Sequence, residues 1–341
     1  MAYSNVVGDL EIYSMTETAQ LDTVPSILEQ SPFDVGIFSF GKAERDNVDY
    51  FNPSIVARPD GDWLIVRRST WKPQATFGMN DLMAFKLDDK TPLFGHKIRI
   101  PSTSEQEQYE DPRAFYHNGK TYIGSCNFVW YGTRWTGAHQ ILVSCDNEWK
   151  VTERTDPDYG KNGNALGKNQ GHEKNWLWFT HDGQLHMIYM AAPKHHVVSF
   201  DRSMGVDQTH QTEWNYGIWK HGQVQGTTPK IGGGTPPVRV GNHYYTYFHS
   251  STLMENKRRR YHMGAMEFEA KAPFKITRIT PEPILSGSKN DIWDARKVPV
   301  CFPGGSIYRD GKWLVVGGLN DRKCFWLEIT QKDLNEIMVK V

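Results

Sequence analysis

The residues best equipped for chemistry stand at the openings of a recurring phrase. Asn52 and Ser54 open the first copy. Glu110, Asp111 and Arg113 open the second, in the run Glu110-Asp-Pro-Arg113, and Glu173, Lys174 and Asn175 open the third. Thr235 opens the fourth copy and Pro303-Gly-Gly305 the fifth. Arg67, Arg68 and His249 follow just past the turns, and Asn320 with Asp321 closes the last hairpin. Carboxylates, guanidinium groups, amides and an imidazole suit a sugar site, where each hydroxyl must exchange water for a directed hydrogen bond. Two carboxylates on opposite walls would also suffice for glycosyl chemistry. In isolation, Glu110 to Arg113 reads as a turn held by a local ion pair. Its place at the head of a repeat turns it toward function.

The elements that must gather these groups are legible in the repeat itself. Each phrase runs from a Pro-led or polar turn into a short apolar stretch, a Gly-containing turn and an aromatic-rich stretch. Counted from Asn52, Asp111, Asn175, Thr235 and Pro303, the steps are 59, 64, 60 and 68 residues. Hairpins repeating at that interval predict a radial β array, an all-β, five-bladed β-propeller. The innermost strand of each blade would line the axis, so the openings would converge there. Leu82 to Leu87, Ala138 to Ser144, His196 to Phe200 and His262 to Phe268 read as third strands. Residues 1–45 lack the phrase and are expected as an irregular lead-in packed on a single catalytic domain over 46–341. The stretches 156–171 and 222–234 read as long loops beside the pocket, and Leu334 to Val339 as the one amphipathic helix.

Composition bounds the partners. Lys plus Arg equals Asp plus Glu at 39 each, so net charge argues for neither nucleic acid nor an anionic membrane surface. The basic run Lys257-Arg-Arg-Arg260 reads as a solvated loop. Twelve Trp, 15 Tyr and 16 Phe fill sheet cores and can stack on sugar rings; Trp71, Trp130, Trp135 and Trp214 are rim or core candidates alike. Cys126, Cys145, Cys301 and Cys324 lack metal-ligand spacing and read as reduced, buried thiols. His195-His196 flank a strand with no third ligand in sight. Asp291 and Asp294, around Trp293, read as loop ion-pair partners of Arg296 and Lys297 or as pocket carboxylates. No apolar run approaches the ~18 residues of a membrane span. With no evident signal peptide, the expected location is the cytoplasm, the expected partner a small carbohydrate, and neither metal nor organic cofactor is implied.

At these residues the chain resembles glycoside hydrolase family 130, the β-mannoside phosphorylases and mannosidases, over about residues 48–330. Asn52-Pro with Arg67, Glu110-Asp-Pro-Arg113, the Lys174-Asn-Trp block, Gly234-Thr-Pro-Pro237 and Tyr247-Phe-His249 occur in the family's order. Tyr261-His-Met-Gly-Ala265 with Pro273, Ile279 to Leu285, Phe302-Pro-Gly-Gly305 and Gly318-Leu-Asn-Asp321 continue it. The resemblance implies Asp111 as general acid acting through a sugar hydroxyl, and Asp321 as a ligand of the −1 sugar. Arg67, Asn52, Lys174 and His249 would line the place where phosphate or its replacement attacks. The chain departs from the family's phosphorylases at Met187-Ile-Tyr-Met-Ala-Ala-Pro193, where they carry an Arg near the phosphate. The expectation is therefore inverting cleavage of a β-mannoside by water, with Glu173 and then Asp294 as candidate bases. The alternatives are phosphorolysis with inorganic phosphate as co-substrate, mannosyl transfer, and a catalytically silent sugar-binding propeller.

Overall fold

Short hairpins dominate because apolar alternation is cut at each Gly-containing turn. Gly119, Gly183 and Gly311 take positive φ there, each preceded by an Asx residue also at positive φ: Asn118, Asp182 and Asp310. The computed structural model describes residues 31–40, 48–70, 79–102, 107–131, 134–160, 173–222, 224–225, 228–229, 231–254, 258–288 and 299–341. Strand β1 is Asp34–Ile37. Val48–Arg58, Gly61–Thr70, Met79–Asp88 and Thr91–Ile98 (β2 to β5) form the first sheet. Glu107–His117, Lys120–Tyr131, Arg134–Cys145 and Val151–Thr155 (β6 to β9) form the second. Leu177–His181, Gln184–Met190, Lys194–Phe200 and Val206–Glu213 (β10 to β13) form the third.

The fourth sheet is built differently. Val224–Gln225 and Thr228–Pro229 (β14, β15) make a separate two-stranded ribbon. Ile231–Gly233 (β16) and Val238–Val240 (β17) both pair with His243–Leu253 (β18), which pairs with Arg259–Glu269 (β19). Pro236 and Pro237, which lack the N–H a ladder needs, fall in the gap between β16 and β17. Ile276–Ile279 (β20), Leu285–Ser286 (β21) and Val339–Lys340 (β25) raise this sheet to seven strands. Cys301–Arg309, Lys312–Leu319 and Lys323–Thr330 (β22 to β24) form the last sheet. Helix α1, Gln331–Ile337, follows, its N-terminus capped by Thr330.

The architecture is all-β and propeller-like, but it shows four regular blades rather than the expected five. Four sheets are regular four-stranded blades, and the fourth copy's sheet is the seven-stranded one. Within the stretch ahead of the first copy, β1 supplies the outer strand of the last blade, Asp34 opposite Glu328 and Ile37 opposite Phe325. Each expected third strand lies third from the axis, in β4, β8, β12 and β19.

Apolar clusters glue each sheet to the next. Trp63, Ile65, Ile123 and Ile141 join the first to the second; Leu142, Trp176, Trp178 and Met187 join the second to the third. Phe179, Phe248, Phe268 and Phe274 join the third to the fourth, Tyr247, Met263, Trp313 and Phe325 the fourth to the last. Leu64, Val66, Ile307 and Val316 return to the first. All four cysteines are buried, and none forms a disulfide. Among the described residues, no helix is long and apolar enough to cross a membrane.

Where inner strands meet, side chains must vanish. A Cβ on Gly304 would fall 2.1 Å from the Pro53 carbonyl oxygen. The bare glycine lets the last copy's inner strand lie against the first.

Candidate active site

The copies open with a shared backbone device. Asn52, Asp111 and Asn175 sit at equivalent points, and all take left-handed φ: 48°, 52° and 63°. Asn and Asp tolerate this region better than other non-glycine residues. In β2 and β6 the following proline has no ladder hydrogen to give, and the pairing skips from Phe51 to Ser54 and from Glu110 to Arg113. Each skip is a bulge, which re-aims the residue at its head. The two bulges bring Asn52 Nδ2 to Asp111 Oδ1 at 2.7 Å.

Cations surround that pair. The Arg67 guanidinium lies over the Phe51 ring, 4.6 Å from its centre. It pairs with Glu110 through Nη2 and approaches Asp111 Oδ1 at 3.7 Å through Nη1. Lys174 Nζ sits 4.2 Å from the centre of the Phe128 ring and contributes to the electrostatics of both carboxylates. Arg113 is buried beneath the bulge. Its Nη1 donates to the Pro112 carbonyl at 3.0 Å and the Asp111 carbonyl at 3.3 Å, with its guanidinium 4.9 Å from the Phe302 ring centre. Burial draws its ionisation down to about 10.

Adjacent carboxylates thus differ. Burial pushes the Glu110 carboxyl above the usual range, helped by the Asp111 and Asp321 charges and opposed by Arg67 and Lys174. Burial pushes Asp111 up as well, but Arg67, Lys174, Arg113 and the Asn52 amide outweigh it and hold Asp111 below the usual range. Asp111 is therefore ionised at neutral pH, and an acid role requires that its cations be engaged first.

Asn52, Arg67, Glu110, Asp111, Arg113, Lys174 and Asp321 come together. Asp321, exposed at the turn between β23 and β24, reaches the group through its charge on Glu110. His249, on β18, lies beside it, its Nδ1 3.0 Å from the Gly233 carbonyl and its ring 4.5 Å from Phe302.

Other expected residues make the following contacts. Arg68 pairs with Asp81 at 3.2 Å on the opposite face of β3 from Arg67, as strand alternation dictates. Ser54 is fully buried and accepts the Ala114 N–H at 2.9 Å, tying the first blade to the second. Thr235 is fully buried too, accepting the Tyr247 N–H at 3.0 Å beside the split inner strand. Both small hydroxyls at these repeat openings accept a backbone N–H. Asn175 shares the left-handed opening, and its carbonyl lies against Gly233.

Glu173, the first candidate base, is buried, with Tyr189 donating to Oε1 at 3.0 Å and the Trp176 indole to Oε2 at 3.3 Å. Tyr189 comes from the stretch where the Arg was sought. Asp294, Asp291 and Trp71 lie outside the described residues, as do the side chains of Trp130 and Trp135. Trp214 is a core residue, donating to the Ala191 carbonyl at 2.8 Å. Among the described residues no group of three or more His, Cys, Asp or Glu could hold a metal ion. A cavity of about 710 Å³ lies elsewhere, between the outer strands of the second blade and the turns of the third. Sequence reading missed Asn80, whose amide donates to Glu110 Oε1 at 3.0 Å.

A propeller-like ring whose inner-strand bulges gather paired carboxylates and cations defines an enzyme acting on glycosides. Residues 23–340 match the family described as beta-1,4-mannooligosaccharide phosphorylase, and the chain belongs to glycoside hydrolase family 130. Solved structures share the fold at low identity. The β-1,2-mannobiose phosphorylase from Listeria innocua, complexed with β-1,2-mannobiose, is 12% identical with TM-score 0.60, over 86% of this chain and 93% of that one. MPT-1, a GDP-Man-dependent mannosyltransferase from Leishmania mexicana, is 12% identical with TM-score 0.56, over 89% and 91%. MPT-4, a mannose phosphorylase from Leishmania mexicana complexed with phosphate, is 12% identical with TM-score 0.54, over 98% and 96%. A comparison with curated proteins returned no match.

Proposed function

We propose that the chain cleaves or forms a β-mannoside by an inverting displacement in which an anion, phosphate or a phosphate ester, meets the cations around Asp111. The observation that carries this is the placement of Asp111 between the Asn52 donor and the Arg67 and Lys174 charges. Those charges hold Asp111 ionised. An anion that engages Arg67 and Lys174 cancels their pull, and Asp111 rises toward the range in which it can carry a proton. Proton donation and nucleophile arrival are thereby coupled.

In phosphorolysis, a phosphate oxygen bonds to C1 as the C1–O bond to the leaving sugar breaks. The leaving oxygen takes the Asp111 proton, directly or through a sugar hydroxyl, and the product is α-mannose 1-phosphate. Asp321, Glu110 and Asn52 orient the sugar, and His249 borders the anion. The seven-stranded sheet serves as the fifth blade, and its β18 supplies that histidine.

Hydrolysis is the second reading. It is favoured by the absence of an Arg from 187–193 and by Tyr189, which engages Glu173 instead. β-1,2- and β-1,4-mannobiose, incubated with and without inorganic phosphate, separate the two. Mannose 1-phosphate formed only with phosphate supports the first reading; free mannose formed equally in both overturns it.

A further inference from the structure

We propose that Asn80 is a positioning residue that fixes Glu110 in the pocket and balances the paired carboxylates through that one contact. Asn80 stands on β4 opposite Ser69 of β3. Cross-strand partners share a face, and Ser69 shares its face with Arg67 two residues away. Gln108 and Glu110 are likewise two apart on β6, so both point toward the first blade. The four side chains meet at the seam. Asn80 Nδ2 donates to Gln108 Oε1 and to Glu110 Oε1, each at 3.0 Å, and Arg67 Nη2 donates to the same Glu110 oxygen.

The amide can face only one way. Turned over, its carbonyl would oppose the Glu110 carboxylate, which has no hydrogen to give. With one hydrogen for each acceptor, Asn80 spends its NH₂ group fully, and Asn80 and Gln108 are both buried. Arg67 and Asn80 together hold Oε1 from two strands. Among the described residues neither bond uses Oε2, the oxygen left to meet a sugar hydroxyl. Charged groups acting on Glu110 are Arg67, Asp111, Lys174 and Asp321. Asn80 adds a neutral donor to that set, so changing its charge at constant shape alters the balance without emptying the seam.

Asn80→Asp keeps the shape and sets a second carboxylate against Glu110. Asn80→Ser removes the amide. Glutamate labelled with ¹³C at the side-chain carboxyl, with the Glu110 signal assigned by Glu110→Gln, reports the ionisation directly. The Glu110 signal is expected to titrate about one pH unit higher in Asn80→Asp than in wild type. The acid limb of the pH–rate profile on β-mannobiose with phosphate should move the same way, and Asn80→Ser should lose about tenfold in kcat. The kinetic arm rests on the function proposed above, whereas the carboxyl titration does not. Wild type inert on β-mannobiose would sink that function and leave the NMR result to decide this inference. A Glu110 titration identical in wild type, Asn80→Asp and Asn80→Ser overturns it. If Asn80→Asp does not fold, an unshifted Glu110 signal in folded Asn80→Ser is equally fatal.

Discussion

Replacing Gly318 by alanine adds one carbon to a strand whose backbone need touch no substrate. That carbon would lie 1.8 Å from Asn52 Oδ1, 2.9 Å from its Cγ and 3.1 Å from its Cα. Carbon and oxygen do not approach that closely, so the Asn52 amide must swing away and release Asp111, now 2.7 Å from its Nδ2. A hydrogen bond to a charged group contributes about 1.5–3 kcal/mol. If it is needed in the transition state, its loss lowers kcat/KM by about 10- to 150-fold. Without the donor, Asp111 also loses one of the groups that hold it down and shifts upward. Overpacking itself costs about 1–3 kcal/mol of stability, a melting point a few degrees lower. The assay is kcat/KM on β-mannobiose with phosphate, alongside thermal melting. Asn52→Ala removes the same donor without steric load and should lose activity by a similar factor at a nearly native melting point. Wild-type kcat/KM in a folded Asn52→Ala would refute the reasoning, since the bond would then be irrelevant to turnover.

Asp111→Asn should fold normally yet lose at least ~10³-fold in kcat, the upper span of what one proton-transfer group supplies; residual activity within tenfold of wild type would exclude the acid role. Acid stability should reflect His195, which burial holds down to about 4 while its Nδ1 bonds the Phe274 carbonyl at 2.8 Å. The unfolded chain takes up this proton near pH 6.5 and the folded chain only near pH 4. Stability is therefore full above 6.5 and falls by about 3 kcal/mol as pH drops to 4. His195→Gln should flatten that slope in denaturant titrations from pH 7 to pH 4, and an unchanged slope would remove His195 as its source.

Much of the ring was legible because hairpins leave local marks: an Asx-Gly turn, alternation on either side, a polar opening. The equivalence of Asn52, Asp111 and Asn175 was visible as sequence and returns as a shared left-handed φ. What escaped depends on long-range pairing. The partner of β1 is nearly the whole chain away, so nothing near Asp34 betrays a strand. Arg67 and Arg68 look alike until the face of β3 is known, and only one meets the carboxylates. Asn80 heads no motif and was invisible without the register of β4 against β3. Nor could the sequence show that the Ser54 and Thr235 hydroxyls each accept a backbone N–H from another strand.

The pairing of β1 with β24 also governs how the molecule comes into being. A growing chain meets the residues of the pocket one copy at a time, yet Asn52 leans on Gly318 and the last sheet draws its outer strand from ahead of the first copy. During synthesis the early blades can form their hairpins, but they wait with one flank bare until the last copy emerges. Its arrival joins flanks separated by most of the chain, a slow search by the measure of sequence distance. The pocket is thus completed only when the circle shuts, because Asp321 and the glycine that Asn52 rests on both come from the last sheet.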